Sequence, residues 1–522
     1  MSFIKQQKIE PFLFGAVVLI SIIPIIIFKH FPTLDGPAHL YNSNLLGHLL
    51  SGDSFLDNYF KINNLSTPNW LGHIVILFFQ RIFGAVIAEK IIVIICIAGF
   101  AYSFRFLVGT LNQHQKAISY LIFPFTYSFF LFLGFFNFIL STALLFVSLA
   151  LFLKLVKSYT VIVHISVTIG LLLTYFAHPF GFFAFLLSAG IYYCILFPSI
   201  AKSSLKSYLI LGLQLASIIV IPCLLYLNYA GSGLVSLSNE KLSFSELTWW
   251  IYRLRSLVVF NFGREQIYTT TIFALIIAFI TLIVIRKFNS NDSQKPSILN
   301  YTWLISSAIL LTLYYTLPNQ INSGGYVSDR LNFLFFIFII IWISNYTWNK
   351  KIVIIACAIS IACHIGLLNY YVKQISWLNT YAKEVHSLAE KIEENSVILP
   401  MGTPPDWMLG HISNYVGAEK KVIILENYEA YTGYFPTLWN WDSIPNLTFG
   451  DTNLNEICTN SFQTEFNRTL GKKVDYIIFT GKINLQEECK IKIDSTLNQS
   501  YLEFFVSADS TFKLYKLKDR NF

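Results

Sequence analysis

Apolar runs of membrane length set the terms for this chain. Residues 11–28, 117–133, 136–153, 160–176, 180–197, 207–227, 268–285, 300–317, 331–348 and 352–370 are each close to the roughly 20 residues that carry a helix across a bilayer core. In lipid every backbone N–H and C=O must find its partner within the protein, so such runs become transmembrane helices. At 55% hydrophobic and 13% charged residues, the 522-residue chain is no ordinary soluble domain and reads as a polytopic helical membrane protein. The first run lacks a small-residue cleavage site and ends in Phe28-Lys29-His30, which predicts a retained helix and not a removed signal peptide.

The basic residues predict the orientation. Lys5 and Lys8 precede the first run. Lys154 with Lys157, Lys202 with Lys206, Arg286 with Lys287 and Lys295, and Lys350 with Lys351 occupy every second loop, while Gly134-Phe135-Phe136 and His178-Pro179-Phe180-Gly181 carry none. Under the positive-inside rule the N-terminus is cytoplasmic, and loops 29–70, 134–137, 177–181, 228–267 and 318–330 face outward together with the chain from 371 on. The net charge of +8 sits in these short loops and gives no reason to expect nucleic acid as a partner. This register needs one full crossing near 88–108, with 71–86 re-entrant or interfacial. The expected total is about eleven crossings, with a range of 11–13, and the location is an inner, cytoplasmic membrane of a bacterial cell.

From Tyr371 the composition changes. Charges appear, and short buried strands are expected at 396–400, 421–425 and 474–479, with an amphipathic helix at 381–394 and a strand pair near 501–507 and 511–517. The expected domains are therefore 1–370, transmembrane, and 371–522, a small outward-facing α/β domain. Cys96, Cys194, Cys223, Cys357 and Cys363 lie in apolar runs, where a thiol behaves as a small hydrophobe. Cys458 and Cys489 lie in the polar tail and are candidates for a disulfide in an oxidising compartment, with two reduced cysteines as the alternative. The aromatic residues from Tyr428 to Trp441 suit core packing, headgroup contact or sugar binding.

Chemistry is expected in the outward loops. Pro32-Thr33-Leu34-Asp35-Gly36-Pro37-Ala38-His39 follows the first crossing, and Pro37 favours a helix over 36–50 with Asp35 at its N-cap. Its apolar residues Leu40, Tyr41, Leu45, Leu46, Leu49 and Leu50 would lie along the membrane interface. Asp35 and His39 are four apart and share a helix face. Asn137, His178, Asp329 and Arg330 stand at other outward turns, and loop 228–267 carries Trp249, Trp250, Arg253, Arg255 and Arg264. Guanidiniums partner phosphates, and a carboxylate can deprotonate a hydroxyl. A metal is a weaker expectation: Asp35 and His39 offer two ligands, and a composite site with His48 or His73 is conceivable. Each position also has a plain structural role: a cap for Asp35 and Asn137, a helix end for His178, lipid contact for the arginines.

The first span, the Asp-bearing loop Leu34-Asp35-Gly36-Pro37-Ala38-His39-Leu40-Tyr41, the many further spans and the terminal α/β segment resemble the GT-C superfamily of integral membrane glycosyltransferases. The layout matches over the whole chain, the motif over about eight residues. The resemblance implies a sugar donor on a polyprenyl phosphate, inversion at the anomeric carbon, and a glycan, lipid or protein acceptor. It implies Asp35 as catalytic base, or as helper of a divalent metal; the outward loops themselves add His39, Asn137, His178, Arg253, Arg255, Asp329 and Arg330 as candidate substrate-binding residues. Many members carry a second acidic residue beside the first or in the next outer hairpin, where this chain has Gly36 and Asn137. An outer-face glycan ligase or polymerase, a transporter and a non-catalytic membrane scaffold are the competing readings.

Overall fold

The computed structural model describes residues 3–200, 204–234, 241–288, 298–321, 324–402, 404–440, 474–481 and 487–518. Among them nine helices are long and apolar enough to cross a membrane: Ile9–Ile27, Ala85–Leu111, Phe136–Lys157, Pro179–Phe197, Leu205–Ser232, Phe262–Phe288, Ile298–Thr316, Val327–Ser344 and Lys350–Lys391. Val161–Ala177 and Trp70–Phe83 are shorter apolar helices. The expected crossing near 88–108 is the Ala85–Leu111 helix.

The run 117–133 departs from its expectation. It is not one helix but a chain of short turns: Gln113–Ile122 is wound as 3-10 helix, followed by Phe123–Thr126 and Phe129–Leu133. Pro124 supplies no backbone donor, Ser128 is extended at ψ 165°, and Gly134 takes the left-handed φ of 79° that ends the run. Every residue from Ile118 to Gly134 is buried. Irregular backbone at membrane depth is tolerated where protein covers it and supplies its hydrogen bonds. Here Ser360 donates to the Tyr120 carbonyl at 2.9 Å, and Thr126 to that of Phe123 at 2.7 Å.

The chain folds as two compact units. The first comprises Met1–Pro24 and Ile94–Lys373, the second Ile25–Val93 and Gln374–Phe522. The change near 371 seen in composition is thus one boundary of a unit that also takes in the first outer loop. The Lys350–Leu388 helix runs through that position without a break, so the helix expected at 381–394 is its continuation, and buried residues Tyr371, Ile375, Leu378, Ala382, Val385 and Leu388 mark one stripe at the 3.6-residue period.

In the second unit the expected strands form a five-stranded sheet of order β3-β2-β5-β7-β6, with β2 at Val397–Met401, β3 at Ile423–Ile424, β5 at Tyr476–Thr480, β6 at Tyr501–Val506 and β7 at Phe512–Leu517. β2 runs parallel to β3 and β5, and β7 runs antiparallel to β5 and β6. All residues of β2 and β5 are buried, which explains their continuous apolar sequence. A second, two-stranded sheet pairs β1 (Phe60–Ile62) of the first outer loop with β4 (Thr437–Trp439), and the Phe60 and Trp439 rings stack at 4.3 Å.

The Gly36–Leu50 helix corrects an expectation. It is not laid along an interface: all its residues except His48 and Leu50 are buried. It is a core helix of the second unit. Gly417 makes its close approach possible, since a Cβ there would stand 2.3 Å from the Tyr41 ring. The Tyr41 hydroxyl donates to the Val422 carbonyl at 2.9 Å and accepts from the Ile424 N–H at 3.0 Å. Cys458 and Trp441 lie outside the described residues, as does the side chain of Cys489, so the expected disulfide falls there too.

Candidate functional site

In the second unit the first outer loop and a distant stretch, 411–439, together build a buried polar cluster. Asp35 does stand at the N-cap of its helix with Pro37 in the first turn, but its carboxylate makes no capping hydrogen bond. The Gly36 N–H is taken instead by the Thr33 hydroxyl at 3.0 Å. The Asp35 carboxylate turns to His411, 3.8 Å from Nε2, and to the Tyr428 phenol, whose ring stacks on His411 at 4.4 Å. The other His411 ring nitrogen is hydrogen-bonded to Glu426, which Asn414 also contacts. Asp35 is 7% exposed. Burial raises its carboxyl above the usual carboxylate range, against the pull of the His411 and His39 imidazoles. A raised carboxyl is a stronger base when ionised.

One turn on, His39 meets Glu429. Its Nδ1 lies 2.7 Å from Oε1, while His73 Nε2 lies 2.7 Å from Oε2. All three side chains are buried. Burial pushes the Glu429 carboxyl up, but the two imidazoles outweigh it and hold it at about 2. The placement is built by an amide lock. Asn42 and Asn427 exchange reciprocal side-chain hydrogen bonds of 2.9 Å, and the Thr437 hydroxyl adds a third to Asn42 Oδ1 at 2.7 Å. Asn427 also caps the short helix Tyr428–Thr432 that carries Glu429. His73 rides on Trp70–Phe83, whose preceding residue Asn69 is left-handed at φ 66° and donates through its side chain to the Tyr434 carbonyl at 3.2 Å. Two nitrogens and a carboxylate from residues 39, 73 and 429 are a donor set that fits a divalent metal, with donor atoms all within 4.8 Å of one another. Glu429, Glu426 and His411 belong to no sequence motif, and the pairings of Glu429 with His39 and His73 and of His411 with Asp35 each span more than 350 residues.

The remaining candidates lie in the first unit. Arg330 places its guanidinium 4.7 Å from the Phe135 ring centroid and within reach of Phe138 and Phe180, and donates to the Gly325 carbonyl at 2.6 Å. His178, extended at a helix junction, packs its ring against the same Phe138 and Phe180. Asn137 is buried one residue before Phe138. Arg255 lies 3.7 Å from the buried Asp329 carboxylate and 4.0 Å from the Phe129 centroid. His178 and Arg330 share these rings, and Arg255 pairs with Asp329, the residue before Arg330. Arg253 takes other neighbours, the rings of Trp249 and Phe262 at 4.8 and 4.1 Å.

No family model and no curated protein matches the chain. Solved structures do. ArnT from Cupriavidus metallidurans in the apo state matches with a TM-score of 0.53 and 10% identity over 96% of this chain and 97% of that one. The same protein bound to undecaprenyl phosphate matches with a TM-score of 0.56 and 10% identity over 97% of each. At that identity the likeness is one of fold: along nearly its whole length the chain has the fold of ArnT.

Proposed function

We propose that this multi-pass membrane protein with the GT-C fold is an inverting glycosyltransferase that moves a sugar from a polyprenyl-phosphate donor to a hydroxyl acceptor at the outer face of the membrane. The observation that carries the reading is Asp35: a buried carboxylate with a raised pKa, not spent on capping its own helix, in a chain whose fold matches ArnT from end to end. The ArnT structure bound to undecaprenyl phosphate supports a prenyl-phosphate partner for this chain.

In the proposed step the acceptor oxygen attacks the anomeric carbon as the bond from that carbon to the phosphate oxygen breaks. The acceptor proton passes to Asp35, and the bonding electrons leave with the lipid phosphate. Asp35 acts as general base, a contribution of about 10²–10⁴-fold. His411 and Tyr428 hold its carboxylate in place. The guanidiniums of Arg330 and Arg255, seated on aromatic rings in the first unit, are of the kind that pairs with phosphate.

The charge pattern supports a cytoplasmic N-terminus with residues 29–70 and the chain from 371 outward. In that orientation the broken segment 113–133 supplies a crossing, and the amphipathic Trp70–Phe83 helix, with Ile74, Phe78 and Ile82 exposed, lies at the interface.

Native mass spectrometry of the detergent-purified protein tests the reading. A bound prenyl phosphate in the wild type, and sugar-loaded prenyl lipid accumulating in Asp35→Asn, is the expected result. Unchanged transfer in a folded Asp35→Asn protein overturns it.

A further inference from the structure

We propose that His39, His73 and Glu429 form a binding site for one zinc-class divalent ion, which ties three separate segments of the second unit together. The inference stands on the donor geometry and does not depend on the transferase reading.

The three side chains are 4%, 1% and 0% exposed. The two imidazoles meet at right angles, with ring centroids 5.0 Å apart, and each presents a nitrogen 2.7 Å from a different oxygen of the same carboxylate. The hydrogen bonding of His73 is informative. Its Nδ1 faces the Asn69 backbone carbonyl at 3.1 Å, an oxygen that can only accept. Nδ1 must therefore donate, so Nε2 meets the carboxylate oxygen either through a proton or, with its lone pair free, through a metal ion. Two acceptors at that distance need a positive centre between them. A metal ligand with its second ring nitrogen bonded to a backbone carbonyl is the common arrangement for protein histidines. Asn69 is itself fixed, by its left-handed backbone and its bond to the Tyr434 carbonyl, so the ring is aimed before any ion arrives.

The surroundings suit a dry site. The Phe435 ring packs on both imidazoles, at 5.8 Å from His39 and 5.5 Å from His73. Two imidazoles and one carboxylate select zinc-class ions over magnesium or calcium, which prefer oxygen ligands. Metal–ligand bonds of about 2.0–2.1 Å in a tetrahedral arrangement would part these donors by roughly half an ångström. The set leaves a fourth position for water or another ligand. The ligands come from helix Gly36–Leu50, helix Trp70–Phe83 and the short helix Tyr428–Thr432, so one ion would join segments far apart in sequence.

The test uses the full chain in detergent, loaded with Zn²⁺ and desalted, with metal content measured by plasma mass spectrometry and melting followed with and without chelator. One equivalent of zinc, a higher melting temperature with zinc, and tetrahedral d–d absorption after Co²⁺ loading are expected. His73→Ala and Glu429→Gln should each lower retained zinc at least tenfold, while His386→Ala, which removes a half-buried imidazole set edge-on to His30 outside the cluster, should retain it. If a ligand variant fails to fold, the wild-type zinc content and Co²⁺ spectrum decide. Wild-type protein that holds no zinc and gives an octahedral Co²⁺ spectrum overturns the site and leaves a shared proton as the positive centre. A folded His73→Ala protein that keeps a full equivalent overturns the ligand assignment.

Discussion

The two units surround their charged groups differently. In the second, imidazoles face carboxylates: His39 and His73 on Glu429, His411 between Asp35 and Glu426. In the first, guanidiniums lie on aromatic faces: Arg330 on Phe135, Arg255 on Phe129, Arg253 on Phe262. Imidazole and carboxylate exchange protons and bind metals near neutral pH. A guanidinium keeps its charge at any physiological pH and pairs with phosphate. The second unit thus holds groups suited to proton transfer and metal binding, and the first holds groups suited to an anion.

The largest effect that can break this contrast is at Asp35. Asp35→Asn keeps the shape of the side chain and removes the base, so glycan transfer should fall by about 10²–10⁴-fold with prenyl-phosphate binding retained. If binding is lost while transfer per bound lipid is kept, the division of labour is wrong. The converse is expected for Arg330→Ala. Its loss should weaken prenyl-phosphate binding about tenfold or more, as for a charge-assisted hydrogen bond of ~1.5–3 kcal/mol, read by lipid titration in native mass spectrometry. Arg330→Lys should restore only part of that affinity.

Two smaller effects test how the second unit is assembled. Gly417→Ala forces a methyl group against the Tyr41 ring and should cost about 1–3 kcal/mol in thermal or denaturant unfolding. Asn42→Ala strands the Asn427 amide in a buried site and should cost a comparable ~1–3 kcal/mol. At the far end of the scale, Glu393→Gln breaks an ion pair with Lys516 at the surface of the same unit, and stability should change by less than about 1 kcal/mol. A large loss there would mean that surface charge, not the buried amide lock, holds the unit together.

Local pattern made much of the fold legible. Apolar length marked the spans, because the hydrocarbon thickness is a fixed ruler. Short runs such as Val397–Met401 and Tyr476–Thr480 read as buried strands because both their faces are covered. The run 117–133 reads as one helix but is a chain of short turns, because length and hydropathy say nothing about whether neighbours will cover irregular backbone. Asp35 was legible as a cap position in a loop after the first span, and so was its candidacy as a base.

What the sequence alone determined, then, was where the chain meets lipid, where it becomes a sheet, and that one carboxylate stands at the start of a helix beside the membrane. Only the tertiary structure decided that this helix is buried in a unit with residues 374–522, that its carboxylate faces His411 and Tyr428 instead of its own N-terminus, and that His39 and His73 share Glu429. The physical reason is range. Helix and strand periods are set by neighbours a few residues away. A buried charge is satisfied by whatever partner the fold delivers, here more than 350 residues along the chain.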